Sequence, residues 1–143
     1  MEHVYIGYAY GDSCAGQRAL YEVGMSGVPI TNVNNNCATG STAMYNCKLL
    51  IEGGLADCCL AFGFEKMMKG SLAMAYPDRA IPVGKMNDKN KELRGLTEMP
   101  WAPQLFGNAG REHMEKYGTK PEHFGKIAWK NHKHSVNNPY SQF

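Results

Sequence analysis

The first half of the chain alternates between short apolar runs and stretches with helical spacing. Runs rich in β-branched and aromatic residues predict strands, and apolar residues that recur at the spacing of a helical turn predict helices. The expected strands are Val4–Tyr10, Val28–Val33 and Leu55–Phe64, and the expected helices are Ala15–Val23 and Ala38–Glu52. This repeat favours parallel strands with right-handed crossovers, Val28–Val33 being the central strand and Leu55–Phe64 being buried on both faces.

The second half has a different pattern. Residues 72–99 carry prolines, glycines and many charges without a sustained period, so we expect a long irregular segment of the kind that forms binding loops or lids. A helix is predicted over Ala102–Tyr117, with Phe106, Ala109, His113 and Tyr117 on one stripe. A last helix, over residues 121–134, is predicted to begin at a capping box in Thr119–Glu122 and to bury Phe124, Ile127 and Ala128.

Composition excludes several classes of protein. The 143 residues are 43% hydrophobic, which is enough to bury a core. The net charge of +2 gives no strong signal for a polyanionic partner, so we do not expect binding to nucleic acid. Five cysteines without CxxC spacing are typical of reduced intracellular thiols rather than of a disulfide framework. No apolar run approaches the roughly 18 residues of a transmembrane helix, so we expect no membrane span.

Cys37 lies where the second expected strand turns into the following helix. The first turn of a helix has unpaired N–H groups and a partial positive charge, which favour a thiolate and can hold an oxyanion. The small residues that follow, including Ala38, Gly40 and Ser41, leave space for a substrate. The arrangement is that of a nucleophile elbow with sulfur in place of a hydroxyl. The alternative is that Cys37 is a small buried apolar residue.

Basic residues cluster near one face of the last expected helix. Lys126, Lys130 and Lys133, with His134, could hold the phosphates of a nucleotide-bearing thioester, or they could form an ordinary solvated face. Glu65, at the end of the third strand, is either a functional carboxylate at a ligand crevice or a cap.

The remaining histidines and cysteines favour structural roles. The spacing of His132 and His134 directs the two side chains apart on a helix, so surface or capping roles are preferred and no metal site is expected. Cys58 and Cys59 are expected to be structural, and neither Cys14 nor Cys47 has an obvious activating partner.

Several segments resemble the thiolase superfamily. The resemblance is carried by Asn34–Ala43 (NNNCATGSTA) and Gly63–Met67 (GFEKM), and it continues in residues 10–19, 113–119 and 129–140. The triple asparagine before the cysteine resembles the sequence at this position in one branch of the family, the sterol-carrier thiolases. The resemblance implies a layered α/β/α fold. Residues 1–70 would be a partial N-terminal thiolase domain, and residues 71–143 would begin the loop domain that covers acyl-coenzyme A.

The family resemblance implies an acyltransferase of the 3-oxoacyl-coenzyme A thiolase type, as in fatty acid β-oxidation, with branched-chain or sterol side-chain substrates included. Cys37 matches the acyl-carrying nucleophile, whose own N–H contributes to an oxyanion hole. Coenzyme A and acyl-coenzyme A are substrates, and no covalently bound cofactor is expected. Candidate contacts to them are Asn36, Gly40, Ser41, Phe106, Lys126 and Lys130. The same resemblance implies a homodimer through strand region 28–37 and a peroxisomal location, with cytoplasm and mitochondria as alternatives.

Two motifs of the family are absent from this sequence. In thiolases, the bases come from a Gly-His-Pro and a His-Asp-Cys motif in the C-terminal half, and no histidine here precedes Pro or Asp-Cys. We therefore expect a fragment that carries the nucleophile and is inactive alone. The alternatives are a condensing enzyme of the ketoacyl-synthase type, an inactive truncated isoform that binds lipid or acyl-coenzyme A or serves dimerisation, and, more distantly, a zinc protein.

Overall fold

A computed structural model describes residues 1–72, 76–97 and 100–143. The chain divides into two compact units, Met1–Ala75 and Tyr76–Phe143. The first unit contains a β-sheet with helices, and the second consists of helices. The assignment of these two parts to a nucleophile domain and a loop domain stays a prediction.

The first unit is built on a three-stranded parallel sheet. Its strands are β1 (His3–Gly7), β2 (Ile30–Val33) and β3 (Cys59–Gly63), in the order β2-β1-β3. Helix α1 (Ala15–Tyr21) connects β1 to β2, and helix α2 (Thr39–Glu52) connects β2 to β3. The mixed α/β class expected from the sequence is confirmed. The expectation that the Val28–Val33 strand is central is wrong, because β2 lies at an edge and β1 pairs with both neighbours.

The two helices cover opposite faces of the sheet. A Cβ atom placed on Gly16 of α1 would lie 3.0 Å from Cβ of Ile6, whereas one placed on Gly7 would lie 2.7 Å from Cγ2 of Thr39 at the start of α2. Because successive residues of a strand point to opposite faces, α1 and α2 enclose the sheet between them. The core on the α1 side centres on Val4, Ile6 and Leu20.

Strand β3 is shorter and less buried than the apolar run predicts. Leu55 lies outside the strand and is 76% exposed, while Leu60 within it is 36% exposed. The expectation of burial on both faces is wrong. Leu60 shares a face of the sheet with its partner Val4, and α1, the helix on that face, packs against Ile6 of β1 and Asn32 of β2. The chain before β3 is held by the Glu2 carboxylate, which accepts the N–H groups of Cys58 (3.0 Å) and Asp57 (2.6 Å) and thereby has its pKa lowered.

The second unit has three helices: α3 (Gly84–Arg94), α4 (Trp101–Tyr117) and α5 (Pro121–Ser135). Helix α3 lies within the stretch 72–99 that we expected to be irregular, so that expectation is wrong over residues 84–94. Residues 73–75 and 98–99 of that stretch lie outside the described residues. An ion pair joins α3 to α4: Glu115 accepts hydrogen bonds from Arg94 (2.5 and 3.0 Å) and from Arg111 (3.1 Å). The Arg94 contact is the main reason that the pKa of Glu115 is lowered.

Helices α4 and α5 bury little of their apolar surface, and the burial predicted for α5 is wrong. Leu105 is the buried residue of α4, whereas Phe106 is 74% exposed. No residue of α5 is buried. Phe124, which borders a cavity between α4 and α5, is 42% exposed, and Ile127 is 55% exposed. The capping box is also placed differently. Lys120 is the N-cap, and its N–H donates to Nδ1 of His123.

None of the helices that the structure describes is long and apolar enough to span a membrane.

Candidate functional site

The site begins at the loop between β2 and α2. Asn36 adopts a left-handed backbone conformation, with φ of 47°, and the exposed Cys37 follows it. Ala38 is the N-cap of α2, so the cysteine precedes the helix directly. The reading of Cys37 as a small buried apolar residue does not fit this exposure.

Thr39, the first residue of α2, ties this loop together. Its hydroxyl donates a hydrogen bond to the carbonyl of Asn36 (2.6 Å) and accepts one from the N–H of Asn35 (2.8 Å). Its own N–H also donates to the Asn36 carbonyl, at 3.1 Å. Thr39 is 7% exposed, and its methyl group packs over Gly7 at the carboxyl end of β1. A side chain at position 7 would occupy the space that this methyl group fills.

Each asparagine of the triplet makes a separate contribution to the loop. The side-chain oxygen of Asn34 accepts the N–H of Asn36 (3.1 Å), which forms a local turn. The side-chain amide of Asn35 donates to the hydroxyl of Thr42 (3.0 Å), one turn into α2. Asn36 takes the left-handed conformation, which asparagine tolerates better than most residues do. The triplet is therefore the backbone framework that carries Cys37.

The first turn of α2 offers hydrogen-bond donors beside the cysteine. The N–H groups of Gly40 and Ser41 have no acceptor among the residues that the structure describes, as is usual at the start of a helix. Gly40 and Ser41 are both exposed, and a Cβ on Gly40 would meet open space. This turn can therefore accept an anion or a polarised carbonyl oxygen next to the exposed thiol. Asn36, Gly40 and Ser41 are thus brought together with Cys37.

Glu65 fastens the neighbouring loop at the same edge of the sheet. Its carboxylate accepts the N–H groups of Ala9 (3.0 Å) and Tyr10 (3.0 Å), which joins the ends of β1 and β3. Of the two roles considered for Glu65, the structure shows the structural one. Gly63 lies just before it, where a Cβ would come within 2.9 Å of the Gly7 carbonyl oxygen.

The other cysteines differ from Cys37 in their surroundings. Cys47 lies on the buried face of α2 at 7% exposure, and burial, followed by the nearby Cys59 thiol, raises its pKa. Cys58 is exposed just before β3, whereas Cys14 is exposed and is itself the N-cap of α1, with φ of 60°. Cys58 therefore provides the internal control for an exposed thiol that is not at the start of a helix.

The remaining candidates lie in the second unit. Phe106 borders a cavity of about 460 Å³ between α4 and α5, which is also lined by Met114 and Phe124. Lys126 and Lys130 are exposed on α5 and do not line that cavity. All three residues belong to the second unit, and their role as substrate contacts stays a prediction.

The histidines have local partners. Nδ1 of His113 is hydrogen-bonded to the hydroxyl of Thr119 (2.8 Å), and His123 caps α5. The ring of His132 stacks on Phe143 with the ring centres 5.5 Å apart. Among the described residues, no group of three or more histidine, cysteine or acidic side chains is placed to hold a metal ion.

Sequence reasoning identified the cysteine but missed its support. In the sequence, Thr39 is one residue of the Asn34–Ala43 motif, and Gly7 lies within the predicted strand Val4–Tyr10. The available signal was a small residue at the end of one strand facing a threonine at the start of a helix. That signal depends on the pairing of the strands, which the sequence pattern does not reveal.

Comparisons with known proteins match the chain along its whole length. The family described as "Thiolase, N-terminal domain" matches residues 1–143. "Sterol carrier protein 2" of Homo sapiens is 64% identical over 139 residues, which cover 96% of this chain and 25% of that protein. "Non-specific lipid-transfer protein-like 2" of Caenorhabditis elegans is 54% identical over 141 residues, covering 96% of this chain and 34% of that protein.

A more distant relative is named for an enzymatic activity. "Acetyl-CoA acetyltransferase" of Methanothermobacter thermautotrophicus is 31% identical over 121 residues, which cover 84% of this chain and 29% of that protein. The chain spans about a quarter to a third of the length of the curated relatives it matches.

Proposed function

The chain belongs to the thiolase family, and on that premise we propose that it supplies the acyl-carrying nucleophile, Cys37, of a 3-oxoacyl-coenzyme A thiolase. The observation that carries this proposal is the exposed thiol directly before the first turn of α2, within the segment that matches the family. The "Acetyl-CoA acetyltransferase" relative supports an acyl transfer to or from coenzyme A.

The proposed reaction has two halves. In the first, the thiolate of Cys37 attacks the keto carbon of the substrate, the adjacent carbon–carbon bond breaks, and acetyl- or propanoyl-coenzyme A leaves after it takes up a proton. In the second, the thiol of free coenzyme A attacks the acyl-cysteine, which releases the shortened acyl-coenzyme A and restores Cys37. The negative oxygen that forms in each half is stabilised by backbone N–H donors, and the start of α2 provides such donors.

The base groups are proposed to come from chain outside these 143 residues. No histidine of this sequence lies in either of the two family motifs that carry the bases. We therefore expect the isolated chain to bear a reactive thiol without catalysing turnover. Cleavage of a 3-oxoacyl-coenzyme A by the isolated chain at an ordinary enzymatic rate, about 1–1,000 per second, would contradict this part of the proposal.

Acyl transfer from acetyl-coenzyme A to the chain tests the nucleophile directly. After incubation and proteolysis, peptide mass spectrometry should find the acetyl group on Cys37 and not on the exposed Cys58. Cys37→Ser should abolish the label, and the matched control Cys58→Ser should leave it unchanged. Equal acetylation of Cys14, Cys37 and Cys58 would show ordinary thiol exchange and would overturn the assignment.

The alternative proposal is a module that binds lipid or acyl-coenzyme A without transferring acyl groups. The names of the "Sterol carrier protein 2" and "Non-specific lipid-transfer protein-like 2" relatives favour this candidate. Saturable binding of a long-chain acyl-coenzyme A, unchanged by Cys37→Ser and without acylation of any cysteine, would favour it over the thiolase proposal.

We further propose that the protein forms a homodimer through strand region 28–37 and resides in peroxisomes. The outer edge of β2 supports the dimer, because an edge strand presents backbone groups that a second copy can pair with. Sedimentation of the protein at micromolar concentration should show a dimer, and a monomer would count against this arrangement. Imaging of a tagged full-length protein tests the location.

A further inference from the structure

We propose that Thr39 is a positioning residue for Cys37, an inference that rests on the proposed function. Its hydroxyl holds the left-handed turn at Asn36, and that turn places the cysteine directly before the first turn of α2. Thr39 does not itself contact the reacting atoms in this scheme. It fixes the backbone from which Cys37 is presented.

The hydrogen bonds support this role because they bracket the turn. One hydroxyl accepts the N–H of Asn35 (2.8 Å) and donates to the carbonyl of Asn36 (2.6 Å), so a single side chain holds the backbone on both sides of the left-handed turn. Non-glycine residues enter the left-handed region at a cost, and such a conformation persists where its surroundings enforce it. The Thr39 hydroxyl is a main part of those surroundings.

The threonine is itself immobilised. It is the one buried polar side chain among the described residues, at 7% exposure. Its branched Cβ restricts χ1, and its methyl group occupies the space above Gly7, where a Cβ would come within 2.7 Å. This packing fixes the hydroxyl relative to the end of β1, and the hydroxyl in turn holds the Cys37 loop against the sheet.

Loss of this attachment should lower the reactivity of Cys37. The cysteine is already exposed, so loosening the loop would hardly increase the access of a reagent to its thiol. What the looser loop loses is a fixed position beside the helix N-terminus, whose field favours the thiolate. That field is worth a factor of about twofold to fivefold at an exposed site. Thr39→Val keeps the shape of the side chain and removes both hydrogen bonds, whereas Thr39→Ser keeps both.

The experiment measures the rate of alkylation by iodoacetamide at constant pH for each cysteine of the 143-residue chain. Peptide mass spectrometry gives the ratio of the Cys37 rate to the Cys58 rate. We expect Thr39→Val to lower this ratio about twofold to fivefold. Thr39→Ser keeps both hydrogen bonds but loses the methyl group over Gly7, so it should lower the ratio less than Thr39→Val does. Ile6→Val, a core substitution on the opposite face of the sheet, is the control for general loss of stability and should leave the ratio unchanged.

Each outcome decides the proposal. An unchanged ratio in Thr39→Val, or an equal fall in Ile6→Val, would overturn the positioning role. If Thr39→Val does not fold, Thr39→Ala in the same assay decides in the same way. A Cys37 that reacts no faster than Cys58 in the unsubstituted chain would remove support for the proposed function, and the role of Thr39 would fall with it. Selective labelling of Cys37 that does not change when Thr39 is substituted would overturn this inference and leave the proposed function standing.

Discussion

Gly7→Ala tests whether the carboxyl end of β1 is shaped to receive Thr39. The added methyl carbon would lie 2.7 Å from Cγ2 of Thr39, whereas carbon atoms in contact prefer about 3.5–4.0 Å. Relief of this overlap requires α2 or β1 to shift, and such overpacking typically costs about 1–3 kcal/mol. Alanine recovers about 0.5–1 kcal/mol because glycine is unfavourable within a strand. The free energy of unfolding should therefore fall by roughly 1–2 kcal/mol.

Thr39→Ser isolates the cause of that loss. Serine lacks Cγ2, so the nearest atom to the new methyl group becomes the Thr39 carbonyl oxygen, at 3.2 Å. Alone, Thr39→Ser should cost about 0.5–1.5 kcal/mol through the small cavity it leaves. In the double variant, the methyl group added at position 7 occupies the space that loss of Cγ2 leaves at position 39. We expect the double variant to be more stable than the sum of the single changes by about 1 kcal/mol.

The assay is urea unfolding followed by far-ultraviolet circular dichroism together with amide hydrogen exchange in β1 and α2. Tryptophan fluorescence is unsuitable because Trp101 and Trp129 both lie in the second unit. The matched control is Gly24→Ala, since a Cβ there meets no atom within 4 Å and the change should be neutral or slightly stabilising. Additive effects of Gly7→Ala and Thr39→Ser, or equal effects at positions 7 and 24, would refute the reasoning.

Three further predictions concern the backbone, the ion pair and the buried thiol. Asn36→Ala should lower the free energy of unfolding by about 1 kcal/mol, because alanine tolerates the left-handed region poorly, and Asn36→Gly should not; chemical denaturation of both variants checks this. Because the pKa of Glu115 is lowered, its contact with Arg94 stabilises the folded chain at pH above the ordinary value of 4.5, and this contribution is lost as the pH falls through the lower folded value. Glu115→Gln should therefore destabilise the second unit at neutral pH and match the unsubstituted chain in acid. Tryptophan fluorescence during urea unfolding measures this. Cys47, whose pKa is raised by burial, should be alkylated far more slowly than Cys37 in the folded chain, and at the same rate in 8 M urea (about the concentration that unfolds most small domains); comparable rates in the folded chain would contradict its burial.

The parts of the fold that could be predicted from the sequence are those with a complete local signal. Helix α2 has apolar residues at helical spacing and a glycine stop, and the observed Thr39–Glu52 differs from the predicted start by one residue. Helix α3 has no such signal, because its sequence is mostly charged and none of its residues is buried. Its helical conformation depends on intrinsic propensity and on the Arg94–Glu115 contact with α4, a long-range interaction that periodicity does not reveal.

Burial was the less predictable property, because it depends on what a surface faces. The apolar run around Leu60 and the stripe containing Phe124 and Ile127 both indicate core positions, yet all three side chains are exposed by a third or more. In each case, the apolar pattern is present, but the described residues leave the side chain partly exposed. The position of β2 at the sheet edge has the same origin, since a parallel crossover fixes the direction of the next strand but not the side on which it pairs.

The geometry around Cys37 depends on a smaller part of the chain than catalysis does. The contacts that define the loop run from Asn34 to Thr42 and reach outside this segment only at Gly7, so they are formed entirely within the first unit. A nucleophile framed by such local contacts can be in place before the groups that act on its protons are brought to it. Selective labelling of Cys37 in the 143-residue chain would then measure what the strand–helix junction alone contributes to the thiol. Any further gain in a longer protein would measure the contribution of its bases. Equal, slow labelling of all five cysteines would assign the whole activation to those bases and leave the junction as a scaffold.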